Sequence, residues 1–372
     1  MSDPEEPAVH TMNAQQEAHW FQVSKYLLIT FFCLVGGILS WMLWSAKVEE
    51  RRQQAQIMDA AAQDPGVTTA QTESTQEAIP VEVGIYVERI TALSIKEASW
   101  QAAFDIWFRW TGDLPNPGED FVLMDGSVDS KVKLAETEYN GVHYVRYGVT
   151  ATFSKSFSIT RFPLDEHLLT IAVESGSAIR GKLLFVPDTE SASVSSRTAV
   201  PGYDLTVKGG IEKPHSYKTT RGDPRLPPGT KSTFSQYRYG LMLSRAGWGL
   251  YFKMFQALFV AAAVAMLACF IKPTDVDPRF GLGVGGLFAA VANSYLVSSF
   301  VPDTGSFALA DVVNAIGIMT ILVTIIVSTV SLHLYDRRGE AELSGRLDRL
   351  AFKVIASCFV GVNLLMLVCA TA

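Results

Sequence analysis

The sequence predicts a β-plus-α membrane protein: an extracellular antiparallel β-sandwich, then a four-helix transmembrane bundle, with one more transmembrane helix near the N-terminus. Three observations predict it. The last third carries four long apolar segments, Trp248 to Ile271, Phe280 to Val301, Ala308 to Leu334 and Leu350 to Ala372. Each is about 20 residues or more, enough to cross a hydrocarbon core of roughly 30 Å. Between residues 80 and 247 the pattern changes to short alternating runs punctuated by Gly, Pro and Asp, which read as strands. A fifth apolar run, Tyr26 to Ala46, lies near the start.

Taken in order, residues 1–25 form a polar, acidic tail. Residues 26–46 read as an anchor rather than a cleaved leader. The apolar run is long, and Leu43-Trp44-Ser45-Ala46 puts a Trp where a small residue should precede cleavage. Residues 47–79 begin with Lys47 to Gln63, rich in helix formers, which extend the anchor until Asp64-Pro65-Gly66 ends it. Thr68 to Ala78 is a flexible polar linker. Residues 80–247 hold the strands: Val81 to Val87, Trp100 to Trp110, Val142 to Phe153, Leu168 to Glu174, Lys182 to Val186, Tyr203 to Val207 and Phe234 to Arg245. Pro214 to Ser232 reads as a long loop. Its Gly229-Thr230-Lys231-Ser232 lacks the Gly-Lys adjacency of a phosphate loop and precedes a strand. Residues 248–372 hold the four helices.

Composition excludes several classes. The net charge is −6 and no basic run appears, which argues against nucleic acid. The four cysteines, Cys33, Cys269, Cys358 and Cys369, all fall in apolar segments, without disulfide or zinc spacing. There is no His-Glu-x-x-His and no Gly-x-Ser-x-Gly, so no enzyme, cofactor or metal site is expected. Basic residues set the orientation. Lys272 and Arg279 follow the first C-terminal helix, and Arg337, Arg338, Arg346, Arg349 and Lys353 follow the third. The turn Pro302-Asp303-Thr304-Gly305-Ser306 has no base. Both basic loops are then cytoplasmic, with the tail, while the strands and the C-terminus lie outside. The first segment disagrees locally, because Lys47, Arg51 and Arg52 follow it and only Lys25 precedes it closely.

One helix has a distinct face. Asp277, Gly281, Gly285, Phe288, Ala292, Tyr295 and Ser299 are spaced by threes and fours, which keeps them on one side. Such a face fits a pore lining. The plainer alternative is that Gly281, Gly283, Gly285 and Gly286 permit close helix packing and that Asp277, beside Pro278, is an ordinary N-terminal acid.

Five motifs occur in order before the helices. They are Gly84-Ile85-Tyr86-Val87, Trp107-Phe108-Arg109-Trp110, Thr160-Arg161-Phe162-Pro163-Leu164-Asp165, Pro201-Gly202-Tyr203-Asp204 and Leu243-Ser244-Arg245. From about residue 80 to the end they resemble the prokaryotic branch of the pentameric ligand-gated ion channels, the Cys-loop receptor superfamily, here without the loop cysteines. The resemblance implies a homopentamer in a bacterial inner membrane with the β-domain periplasmic. Its partners would be inorganic cations, an unknown small ligand or protons, and the lipid bilayer. It implies that Asp277 forms a carboxylate ring at the cytoplasmic mouth and Phe288 an apolar constriction, with Tyr295 and Ser299 toward the outer mouth. Arg279, facing the lumen, would weaken cation selectivity. Arg161, Pro163, Asp165, Arg245 and Pro302 would couple the strands to the pore, with Asp165 paired to Arg245. Ser94 and Ile95 stand where relatives carry an acid, and Glu97 is the candidate substitute. The agonist box is less complete, because the Trp-x-Pro-Asp motif is missing. Tyr144, Tyr217 and Tyr237 are the candidate ligand residues, and His143, His167 and His215 the candidate surface pH sensors. The anchor is an addition to the usual architecture, free to pack on the last helix or to bind another membrane protein.

Overall fold

The computed structural model describes residues 14–62, 78–217, 219, 232–302 and 307–371. These fall into two compact units. One is built from strands and takes in residues 49–158 and 165–246; the other is helical and takes in residues up to 48, 159–164 and 247–372.

The strand unit contains β1 (Ile79–Ser94), β2 (Ser99–Thr111), β3 (Phe121–Met124), β4 (Gly126–Tyr139), β5 (Val142–Ser154), β6 (Glu166–Ser175), β7 (Leu183–Pro187), β8 (Ser193–Val194), β9 (Tyr203–Tyr217) and β10 (Ser232–Arg245). They form two sheets. The first runs β4-β5-β2-β1-β7, with β8 also on β1; the second runs β3-β6-β10-β9. Alternation explains both. On β2, Phe104, Ile106, Phe108 and Trp110 turn inward, and on β10 Tyr237, Tyr239, Leu241 and Leu243 do the same. One core collects residues of both sheets, with Trp100 stacked on Phe153 at 4.3 Å. Each such side chain contributes about 1.5–3 kcal/mol on burial.

Three strands go beyond the sequence reading. β3 and β8 are only four and two residues long, too short to establish a period, and along β4 nearly every position is open. β9 also continues to Tyr217, so Pro214 to Tyr217 is strand rather than loop. The interruption is Gly209 at φ +85°, opposite a register shift at Gly240/Leu241, a bulge that only glycine adopts without strain. The Gly229-Thr230-Lys231 stretch lies outside the described residues.

The helical unit begins with α1, whose helix (Ala14–Ile57) passes into the strand unit at residue 49. It is continuous past the apolar run, as the helix formers imply, but stops at Ile57 rather than Gln63; Asp64-Pro65-Gly66 lies outside the described residues. Then come α2 (Gly249–Met266) with a 3₁₀ turn (Leu267–Phe270), α3 (Val276–Ser298), α4 (Leu309–Arg338) and α5 (Ala341–Thr371). All five α-helices are long and apolar enough to cross a membrane. α5 starts earlier than the apolar pattern does. Gly339 at φ +68° ends α4, and Leu343 and Leu347 then pack back on Leu334.

α1 packs on α5. A Cβ on Gly36 would stand 2.9 Å from Val362, and Lys47 Nζ donates to the Ala370 carbonyl at 3.5 Å. Both residue numbers rise together along the contact, so the two helices run parallel. Lys47 is buried at the end of α5, where unpaired carbonyls and the helix dipole favour a cation.

Candidate functional site

α3 has two unlike faces. The first is open: Asp277, Gly281, Gly285, Phe288, Ala292, Tyr295 and Ser299 are all exposed, Phe288 at 73% and Tyr295 at 75%. Over 22 residues that stripe is about 33 Å long. The opposite face is fixed. Arg279 makes a bidentate pair with Asp348 of α5, at 2.6 and 3.0 Å, and donates to the Ile271 carbonyl at 2.8 Å. Ser331 and Ser344 complete the site, with Ser331 donating to Asp348 at 2.9 Å and meeting Ser344 at 2.7 Å. Asn293 donates to Asn314 at 2.8 Å. The glycines divide in the same way. A Cβ on Gly283 would meet Ile325 at 2.6 Å and one on Gly286 the Ala261 carbonyl at 3.0 Å, while Gly281 and Gly285 face open space. Arg279 does not stand beside Asp277 on the open face. Its side chain is fully buried, which removes the expected competition with the carboxylate.

Two of the proposed coupling residues, Arg161 and Pro163, lie in one short segment. Residues 159–164 lie between two strands yet belong to the helical unit. The Thr160 and Phe162 carbonyls accept from the N–H groups of Leu309 and Ala310, at 2.8 and 3.2 Å. They thus satisfy donors that a helix leaves unpaired at its start, and Asp311 accepts from the Ala308 N–H at 2.9 Å. Arg161 and Pro163 are buried there, Pro163 after a cis peptide bond. Pro302, half-buried, follows α3; residues 303–306 lie outside the described residues.

The next residue, Asp165, returns to the strand unit. Its carboxylate accepts from Arg245 Nε at 2.9 Å, from Tyr203 at 3.3 Å, and lies 2.5 Å from His167 Nε2. Arg245 also stacks on the Tyr203 ring at 4.0 Å. Burial alone would raise the Asp165 carboxyl, but His167 and Arg245 outweigh it and hold it down at about 2. The Asp165–Arg245 pair is therefore formed, and the carboxylate is 2% exposed. Two partners were missed. His167 sits two residues along the same strand face, a spacing that could have found it; Tyr203 left no local signal. Glu97 is exposed in the β1–β2 turn, where its N–H bonds Ser94 Oγ at 3.1 Å.

The ligand candidates separate. Tyr144 borders an open cleft of 380 Å³ on the first sheet, with Tyr86, Trp107, Arg109, Arg146 and Asp105. Arg109 and Trp107 both donate to Asp188, at 2.7 and 3.1 Å. Burial raises Asp188, but the Ser191 N–H, Trp107 and Arg109 prevail and hold it low. Burial raises the Asp105 carboxyl, with Arg146 opposing. Tyr217 lies elsewhere, its hydroxyl given to Glu174 at 2.9 Å. Tyr237 is fully buried in the core, where burial drives its hydroxyl far above its usual range. Of the histidines read as surface groups, His167 is buried and His215 lies 2.5 Å from the buried Glu174; His143 is half-buried on Trp110 at 5.2 Å. No group of metal-binding side chains occurs among the described residues. No family model matches the sequence, and no curated protein matches it.

Proposed function

We propose that the chain is one subunit of a homopentameric ligand-gated ion channel, permeable to cations, with α3 lining the pore. On this reading the two sheets form a sandwich, antiparallel except where β7 and β8 run parallel to β1, and the four C-terminal helices a bundle. The observation that carries it is the open face of α3, a stripe of small, aromatic and hydroxyl residues with a carboxylate at one end, whose reverse is pinned by Arg279 and Asn293. In a membrane, so large an open face with Gly281, Ser299 and Asp277 needs either a partner or water. The segment at 159–164 and the Asp165–Arg245 pair support coupling, because Arg245 leads directly into α2. The cleft at Tyr144, with aromatic rings and both signs of charge, suits a small polar ligand.

Orientation follows the same reading. Parallel α1 and α5 enter the membrane from one side, and the positive charge of Lys25, Arg346, Arg349 and Lys353 supports the cytoplasm for that side. Lys47 and Arg51, which disagreed, have partners: the Ala370 carbonyl and Glu166, the latter at 3.3 Å. The strand unit is then periplasmic in a bacterial inner membrane.

The test is ion flux in proteoliposomes across pH 4 to 8, wild type beside Asp277→Ala. Flux whose cation preference falls in the variant supports the reading; flux with unchanged selectivity moves the filter away from Asp277. A second reading, a non-conducting receptor signalling through its N-terminal helix, draws on one observation. The end of α1 is gripped by the strand unit, where Lys213 donates to the Gln56 carbonyl at 2.8 Å and Arg238 to that of Ile57 at 3.4 Å. Absence of flux under every ligand and pH favours it.

A further inference from the structure

We infer that the cleft between α1 and α5 is a binding site for an anionic diacyl phospholipid of the leaflet at the Lys25 end. The inference needs the helices to lie in a membrane but does not depend on conduction.

The cleft measures 830 Å³ and runs along both helices. Its walls are Ile29, Phe32, Leu350, Val354, Val362 and Leu365, an apolar slot of the kind that takes an acyl chain. Lys25 and Lys353 stand at its mouth, and both are exposed. No carboxylate lines the cleft, and among the described residues neither lysine has an ion pair. The parallel packing explains why the charges gather. Gly36 lies against Val362 and Lys47 reaches Ala370, so counting back along both helices brings Lys25 level with the start of the α5 apolar run. Two like charges at one mouth repel each other, and an acid side chain would have relieved that. A phosphate supplies the missing charge, while its acyl chain covers the apolar wall. Basic pockets between membrane helices bind anionic headgroups in this manner, each lysine worth about fivefold in affinity. A free phosphate would leave the slot uncovered, and a neutral lipid would leave the lysines unpaired, so the site commits to an anionic lipid.

The test uses the full chain in nanodiscs carrying photoactivatable phosphatidylglycerol, with adducts mapped by peptide mass spectrometry. Adducts should concentrate on residues 25–36 and 350–365. Excess phosphatidylglycerol should compete, and phosphatidylcholine should not. Lys25→Gln with Lys353→Gln should cut adduct yield by about 25-fold at sub-saturating lipid. Lys272→Gln, an exposed base outside the cleft, should leave it unchanged. Ser357→Phe should block the slot while keeping both lysines, so loss of adducts there separates acyl-chain seating from surface charge. Adducts spread evenly over all helices, equal competition by phosphatidylcholine, or a yield unmoved by Ser357→Phe would each overturn the inference. A neighbouring copy of α1 filling the cleft would also overturn it, and would appear as protein–protein crosslinks in place of lipid adducts.

Discussion

The two faces of α3 follow opposite rules. One spends its polar groups inward, on Asp348, Ile271 and Asn314, and uses its glycines to let neighbours approach. The other presents Asp277 and its largest aromatics, Phe288 and Tyr295, at the surface. The difference teaches that glycine content alone says little about a helix. Gly283 and Gly286 serve packing, Gly281 and Gly285 face open space, and only their neighbours tell them apart.

The comparison breaks most easily at Arg279. Arg279→Ala leaves Asp348 as a buried charge with Ser331 as its remaining donor among the described residues, at an expected cost of about 3–5 kcal/mol. Thermal unfolding followed by size exclusion should show loss of folded protein, and a variant as stable as wild type would remove the pin. Gly283→Leu should cost less, about 1–3 kcal/mol, because Ile325 must yield. Gly285→Leu, two residues on, should change stability by no more than about 0.5 kcal/mol. Equal losses at the two glycines would erase the distinction between faces. Phe288→Ala sharpens it from the other side. Stability should hold within about 0.5 kcal/mol, and on the proposed pore reading basal flux should rise.

Carboxylates extend the contrast to pH. Asp165 is held at about 2, below an ordinary 3.8, so its stabilisation is full above about pH 4 and fades as pH falls toward 2. The amount is about 2 kcal/mol, and Asp165→Asn should lose it at pH 7. Between pH 4 and 8 this group stays ionised and adds no slope. Asp105 has the opposite sign: its raised carboxyl penalises the fold when ionised, and the penalty lifts as pH falls through its range. Asp105→Asn should flatten that part of a stability-against-pH curve measured by denaturant unfolding.

The sequence showed what repeats locally and missed what is paired at a distance. Strands with a buried alternate residue, β2, β5 and β10, announce themselves; β4 does not, because it is solvated on both sides. Past Lys47, α1 continues to Ile57, short of the Gln63 to which the helix formers run. The open face of α3 was readable as a face because helical spacing is local. Its reverse was not, since Asp348 lies 69 residues from Arg279 and nothing near either names the other. The same holds for Tyr203, 38 residues from Asp165. The charges after the anchor show a related effect: a topology count treats Lys47 and Arg51 as free, whereas each has a specific acceptor.

The contact of α1 with α5 has a further consequence. Gly36 must face Val362, and 11 residues later Lys47 must reach the Ala370 carbonyl. A helix held at two such points has a phase as well as a length. One alanine inserted after Trp41 turns everything beyond it by about 100° and lengthens it by about 1.5 Å. Seven alanines return to within about 20° of the starting angle but add about 10 Å. If angle governs, the sevenfold insertion is tolerated and the single one is not; if reach governs, the order reverses.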